Sequence, residues 1–234
     1  MKSKSTRSRF LSLVAVFASL NVVCDSIAGI PQFSEGVWYS WVFMTEPVTG
    51  LMLPPSAAFL STLIGVMAGH VVFPRGSHEF LFAIGAPIGS LVSALLFRGR
   101  RRIVLVYFVA LLVAYFATPI SKQLPLWGMW DTYLAFAVLL TADVVLLVNK
   151  NGKKLPFDLG FCAFIGLEAD ILFRIFLFIP CQTYRLFSLT AGDLQLIWIA
   201  GAAMTPIQVA ISVVFTSTIG VPLMKIAGRM DLKR

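Results

Sequence analysis

The residues of this sequence that could do chemistry are ionisable side chains inside long apolar stretches. Asp170 and Arg174 are four positions apart, so on a helix they share one face and can neutralise each other or serve a substrate or a proton. Glu168 is rotated by about 200° from Asp170 around such a helix and needs a separate partner. Further acidic residues of this kind are Asp25, Glu46 and Asp143. Because an ionised group is costly in an apolar environment, we expect each of them to face a cavity, water or a charged partner.

The sequence contains few signatures of catalysis, metal binding or cofactor binding. It has no G-x-x-x-x-G-K-[ST] loop, so we expect no ATP hydrolysis through a P-loop. His70 and His78 lie on either side of a Pro-Arg-Gly turn and do not match the H-E-x-x-H spacing of a zinc-binding helix. The three cysteines lack C-x-x-C spacing. These features predict a protein that is not an enzyme and holds no metal or cofactor of its own.

One segment permits a different interpretation. The residues from Glu168 to Arg174 loosely resemble the E-E-x-x-x-R motif of CAAX-type intramembrane proteases. That family also needs histidine or asparagine motifs downstream of the arginine, and no histidine follows Arg174. An intramembrane enzyme is therefore a minor alternative.

The composition indicates which kind of protein must position these residues. Of the 234 residues, 58% are hydrophobic and 13% are charged, against about 25% charged in typical soluble domains. One soluble core of this size cannot bury so much apolar surface. Three cysteines exclude a disulfide scaffold, and 20 Phe and 5 Trp exclude a disordered chain. We therefore expect an all-α, polytopic membrane helix bundle that forms a single domain over residues 1–234.

Eight apolar runs, punctuated by Pro and Gly, predict six to eight membrane-spanning helices, with eight favoured. The second run contains Glu46, Pro47 and Gly50, so it either spans or forms a short or re-entrant segment. The first run also resembles a signal peptide that could be cleaved near Val16–Ala18. The runs are Phe10–Ile30, Val37–Leu53, Ala57–Phe73, Phe80–Phe97, Ile103–Ile120, Thr132–Val148, Leu159–Ile179 and about Leu194–Ala227.

The net charge of +8 comes from four basic clusters, each beside an apolar run. They are not interleaved with aromatic residues as in a nucleic-acid groove, so we expect no nucleic-acid partner. If all eight runs cross, the four clusters fall on one side of the bilayer, and the positive-inside rule places both termini in the cytoplasm. We therefore expect a multi-pass protein of the cell membrane. The clusters are Lys2–Arg9, Arg98–Arg102, Lys150–Lys154 and Lys225–Arg234.

Residues 10–97 carry a further pattern. A first helix rich in small residues ends between Asp25 and Pro31, and a basic stop follows at Arg98–Arg102. Between them come Leu53–Ala58, Leu63–Gly69, a turn at Pro74–Gly76, and Gly85–Gly89. This pattern resembles the substrate-binding S component of energy-coupling factor (ECF) vitamin transporters.

The resemblance implies a function and partners. S components bind a vitamin, a precursor or a metal from outside, and they associate with a transmembrane coupling protein and two cytoplasmic ATPases. Small residues of the first helix contact the coupling protein, and Ala15, Ala18 and Ser19 match that position. The substrate site of the family lies near the outer face.

The candidate substrate-binding residues are of two kinds. Some are expected near the outer face, where the family binds its substrate, and the others are ionisable residues inside the spans. The aromatic residues among them could stack on a planar ligand or form an interfacial belt. They are Asp25, Glu35, Trp38, Tyr39, His78, Glu79, Trp130, Asp131, Glu168, Asp170 and Arg174.

Two functions follow from these observations. The first is a membrane-embedded binding subunit that captures a small organic micronutrient for uptake powered by partner ATPases. The second is a self-sufficient secondary transporter or channel in which Asp143, Glu168, Asp170 and Arg174 form a proton or ion relay. The excess of acidic residues near the expected site favours a neutral or cationic ligand.

Overall fold

The computed structural model describes residues 2–27, 40–74, 76–148 and 155–229, and within them all side chains except those of 2–7, 9, 77, 78, 142–148 and 227–229. Over these residues the chain is all-α, as predicted, and contains no β-strand. Three short 3-10 helices cover Pro119–Gln123, Leu126–Met129 and Thr183–Phe187. The described α-helices are α1 (Lys2–Ser26), α2 (Val42–Met52), α3 (Pro55–Val72), α4 (Ser77–Phe82), α5 (Gly85–Phe97), α6 (Arg101–Ala117), α7 (Trp130–Val148), α8 (Leu155–Phe178) and α9 (Ala191–Arg229).

Each apolar run of the sequence contains at least one helix. The run Phe80–Phe97 is divided by a turn at residues 83–84 into the end of α4 and the whole of α5. Within the described part of the chain, three helical segments are long and apolar enough to cross a membrane by length and composition: Pro55–Val72, Glu79–Phe97 and Ala191–Ile226.

Helix α2 is short and lies in the centre of the bundle, with nine of its residues buried. Its 11 residues span only about 16 Å. Pro47 has no N–H, so the carbonyl of Phe43 lacks its intrahelical donor. The Ser212 hydroxyl of α9 donates to that carbonyl over 2.7 Å, which anchors α2 to α9. The length of α2 fits the short segment predicted for the second run, of which residues 37–39 lie outside the described residues.

Side-chain contacts fix the direction of the first helices. Helices α1 and α3 are parallel, because Ser61 donates to the carbonyl of Val14 and His70 contacts Asp25 further along both helices. Helix α2 is antiparallel to α1, because the Trp41 amide donates to the Cys24 carbonyl, while Thr49 bonds Asn21 one turn earlier in α1.

The later helices continue this alternation. Helix α5 runs parallel to α2, with Ser90 bonded to the Glu46 carbonyl and Arg98 to the Gly50 carbonyl. Helix α8 is antiparallel to α5, because Ser93 donates to the Cys162 carbonyl while Gly85 meets Asp170. Helix α9 is antiparallel to α8, because Gly160 meets Ser217 and Leu167 clusters with Val209. Helix α7 is antiparallel to α6, since Phe108 stacks on Phe136 and Phe116 on Tyr133.

These directions bring one set of helix ends together. Helices α1, α6 and α8 begin, and α5, α7 and α9 end, at what we call the basic end of the bundle. In the sequence each of the four basic clusters adjoins one of these helix ends, although residues 150–154 and 230–234 lie outside the described residues. The opposite end, where α1, α3 and α8 finish and α7 and α9 begin, is called the cavity end.

The bundle exposes many apolar side chains and buries polar side chains among the apolar ones of its interior. On α6, Val106, Val109 and Val113 are exposed, while Phe108 on the opposite face is buried. In the interior Thr45 donates to Asn21 over 2.7 Å, and the hydroxyls of Thr62 and Ser90 lie 2.7 Å apart in a buried hydrogen-bond network. This distribution is the one expected of helices surrounded by lipid.

Candidate functional site

A cavity of about 420 Å³ lies at the cavity end, lined by the ends of α1, α3 and α8 and by the first parts of α2, α4, α5, α7 and α9. Its wall combines aromatic and aliphatic side chains with a small set of polar groups, as is usual for small-molecule sites. The aromatic residues of the wall are Phe43, Phe82, Phe178, Phe187 and Trp198. The polar residues of the wall are Asp25, Ser40, His70, Glu79, Asp131, Asp170, Arg174, Thr205 and Gln208.

The best-defined polar contact of the cavity is an ion pair between Asp170 and Arg174. The guanidinium donates through Nε and Nη2 to the two carboxylate oxygens, each over 2.6 Å. Asp170 is 4% exposed and Arg174 is 31% exposed, so the guanidinium presents part of its surface to the cavity. The spacing of four residues on α8 creates this pair, as the sequence predicts.

A glycine of α5 makes room for the ion pair. A Cβ built on Gly85 would collide with Oδ1 of Asp170 and lie 3.0 Å from Nε of Arg174. One turn further along α5, a Cβ on Gly89 would collide with the carboxylate of Glu46. The two glycines of the Gly85-x-x-x-Gly89 motif therefore leave room for one carboxylate each, and they also allow close packing of the helices.

Glu46 lies beneath the cavity and is fully buried. Among the described residues, neither of its carboxylate oxygens has a hydrogen-bond partner. Asp170 lies one turn away along α5, because Glu46 is packed against Gly89 and Asp170 against Gly85. Glu46 was recognised in the sequence as an ionisable residue inside a run, but its proximity to Asp170 follows only from the packing of α2, α5 and α8.

A second polar pair joins α1 to α3. Nδ1 of His70 lies 2.9 Å from Oδ2 of Asp25 and 2.9 Å from the carbonyl of Val66. Because both neighbours are acceptors, Nδ1 carries the proton and donates it. Gly69 permits the approach, since a Cβ there would lie 2.6 Å from the Asp25 side chain. His70 was not among the candidate binding residues, since its partner is 45 positions away in the chain.

Asp131 begins the third polar group, at the start of α7. Its carboxylate accepts hydrogen bonds from the hydroxyl of Thr205 on α9 and from the amide of Thr132. Behind it, Thr132 donates over 3.0 Å to Oε2 of Glu168, which is fully buried and does not line the cavity. Trp130 is 46% exposed and donates its indole N–H to the Ala202 carbonyl instead of facing the cavity.

The structure thus brings five of the candidate residues to one cavity: Asp25, Glu79, Asp131, Asp170 and Arg174. Trp130 and Glu168 lie outside its wall. Glu35, Trp38 and Tyr39 fall outside the described residues, as do the side chains of His78 and Asp143. The polar cavity-lining residues that were not among the candidates from the sequence are Ser40, His70, Thr205 and Gln208.

The arrangement can hold an organic molecule better than a metal ion. Among the described side chains no three His, Cys, Asp or Glu residues come together as metal ligands. Three of the four acidic groups of the wall, Asp25, Asp170 and Asp131, instead belong to separate helices and are hydrogen-bonded to His70, Arg174 and Thr205, respectively.

The small-residue strip proposed for α1 lies on the surface of the bundle. Ala15 and Ser19 are exposed, as is Ser12 one turn earlier. Ala18 is half-buried, with its carbonyl oxygen 2.9 Å from the position of a Cβ on Gly65. Ala15 and Ser19 therefore face away from α3, so a partner can reach them.

Comparisons with protein-family models, with curated proteins and with solved structures find no match to this chain. The resemblance of residues 10–97 to ECF S components therefore stays a prediction. The function has to be inferred from the geometry and chemistry of the cavity.

Proposed function

We propose that this chain is a membrane-embedded substrate-binding subunit of an ECF-type transporter, which captures a small organic micronutrient at the outer face. The observation that carries the proposal is the cavity of about 420 Å³ at the end of the bundle opposite the basic clusters. Its volume lies within the range of small-molecule sites, and its wall mixes apolar surface with a few convergent polar groups.

The proposed orientation rests on the distribution of charge along the chain. The four basic clusters adjoin helix ends that meet at the basic end. Lys and Arg are concentrated in cytoplasmic loops of membrane proteins. With six to eight spans, both termini are then cytoplasmic, the protein is a multi-pass protein of the cell membrane, and the cavity faces outward.

The proposed partners are a transmembrane coupling protein and two cytoplasmic ATPases. The sequence contains no P-loop of its own, which agrees with ATP hydrolysis by separate partner subunits. The exposed surface formed by Ser12, Ala15 and Ser19 offers a place where another membrane helix can approach closely. The resemblance of residues 10–97 to S components supports the same partners.

The proposal is tested by separating binding from transport. We expect the purified chain alone to bind one micronutrient tightly. Uptake into liposomes should need ATP and the added coupling protein and ATPases. Uptake by the lone chain, or a requirement of the partners for binding itself, would contradict the proposal.

A second candidate function is a secondary transporter driven by an ion gradient. It is favoured by buried carboxyl oxygens without partners among the described residues: both oxygens of Glu46 and Oε1 of Glu168. With Asp170, Arg174 and Asp143, they would form a proton or ion relay. Uptake by the lone chain that stops when the proton gradient is collapsed would favour this function over the first.

A further inference from the structure

The charged groups around the cavity are predominantly acidic. The wall contains four carboxylates against one guanidinium and one imidazole. A fifth carboxylate, that of Glu46, lies beneath the wall, fully buried and without a hydrogen-bond partner among the described residues. Charged groups on such a wall act more strongly on a ligand than the same groups in bulk water do. The carboxylates of the wall are those of Asp25, Glu79, Asp131 and Asp170.

The guanidinium of Arg174 is a poor binding site for an acidic ligand. Two of its nitrogens are bound to Asp170 over 2.6 Å. Glu79 is a further acidic residue of the same wall. A ligand carboxylate approaching Arg174 would therefore compete with Asp170 and meet an excess of acidic groups.

Asp131 differs from the paired acids of the cavity. It is 4% exposed, and the described donors to its carboxylate are a hydroxyl and an amide, which are both neutral. Space is open beside it, because a Cβ on Gly201, one turn before Thr205 on α9, would meet no atom of the described residues within 4 Å. A positively charged group placed there would give the Asp131 carboxylate the counter-charge that its protein partners do not supply.

The rest of the wall suits the body of such a ligand. Phe43, Phe178, Phe187 and Trp198 line the same cavity. Aromatic faces bind apolar groups by contact and attract cations through their quadrupoles. Carboxylates and aromatic rings therefore cooperate in selecting positive charge.

We infer that the cavity selects an organic cation: a small molecule with an apolar or aromatic body and a positively charged nitrogen that binds Asp131. The inference rests on the proposed function and adds the chemical class of the ligand. The cation needs no partner subunit to bind.

The test uses the full chain in detergent and three probes of similar shape: 3-phenylpropylammonium, 3-phenylpropanol and 4-phenylbutyrate. Binding is measured by thermal unfolding and by titration calorimetry. We expect the ammonium probe to bind at least about tenfold more tightly than the alcohol, and the carboxylate probe to bind more weakly still. Equal or tighter binding of the carboxylate, or no binding of the ammonium probe, overturns the inference.

A pair of variants assigns the effect to the cavity. D131N keeps one of the two oxygen acceptors that Thr132 and Thr205 use, removes the charge, and should weaken binding of the ammonium probe about tenfold. D158N makes the same change at the start of α8, at the basic end, and should leave binding unchanged. Unchanged binding in D131N, or equal losses in both variants, overturns the assignment. If D131N fails to fold, the probe series on the unmodified chain still tests whether the cavity prefers a cation.

The two proposals fail in different ways. If the chain co-purifies with a ligand that has no positive charge and that the alcohol or carboxylate probe displaces, the inference of a cationic ligand is wrong. The proposal of a substrate-binding subunit is then still supported. A chain that binds no small molecule, neither a co-purified cargo nor a probe, overturns both.

Discussion

The close fit between Gly85 and the Asp170–Arg174 pair leads to a sharp prediction for G85A. A methyl group at this position would collide with Oδ1 of Asp170. Asp170 would have to move, and at least one of its two hydrogen bonds to Arg174 would be lost. A charge-assisted hydrogen bond contributes about 1.5–3 kcal/mol, and forcing a methyl group into a filled space costs about 1–3 kcal/mol.

The gain in helix propensity from Gly to Ala offsets at most about 1 kcal/mol of this cost. We therefore expect G85A to destabilise the protein by about 2–4 kcal/mol. In a chain of this length that corresponds to a decrease in Tm of roughly 5–15 °C. Thermal unfolding of the purified protein in detergent measures the effect, and ligand binding should fall in parallel because the guanidinium is displaced.

The matched control is G201A, a Gly-to-Ala change in α9 on the wall of the same cavity. A Cβ at Gly201 would meet nothing within 4 Å. We expect G201A to stabilise the protein by up to about 1 kcal/mol, because only the helix propensity changes. A G85A protein as stable as wild type, or a loss in G201A equal to that in G85A, would refute the reasoning.

Three further predictions follow from other contacts. D170N alone should lower Tm more than D170N combined with R174Q, because the single change leaves a cation without its partner; equal losses would argue against the pairing. The double change A15L/S19L should leave Tm and ligand binding nearly intact and abolish ATP-dependent uptake, whereas unfolding would show that these residues are internal packing. S212A removes the donor to a buried carbonyl of the proline-containing helix and should cost about 1–3 kcal/mol in thermal unfolding; an unchanged Tm would indicate that the carbonyl finds another donor.

The helices of this protein were largely predictable from its sequence, because apolar runs and prolines are local signals. The run Phe80–Phe97 shows the limit of such signals. Its apolar character is continuous, and yet a turn at residues 83–84 separates α4 from α5 just before Gly85. The break places Glu79 on the cavity wall and Gly85 against the ion pair, and these are consequences of tertiary packing.

The site was predictable only in part, for the same reason. The Asp170–Arg174 pair belongs to one helix, so its spacing reveals it. The Asp25–His70 contact joins residues 45 positions apart and depends on the parallel packing of α1 and α3.

Other parts of the site could not be inferred from residue type alone. Trp130 belongs to an aromatic group that could face a ligand, but it donates to a carbonyl of α9 and lies outside the cavity wall. Thr205 is an ordinary residue of a long apolar helix, and only the packing of α7 on α9 brings its hydroxyl to Asp131.

The most direct test of the proposed function is mass spectrometry of the intact chain released from detergent. We expect one small organic molecule bound per chain, in the absence of any partner subunit, and loss of that molecule in G85A but not in D158N. A chain that carries only lipid, or that retains the same molecule in G85A, would contradict this expectation.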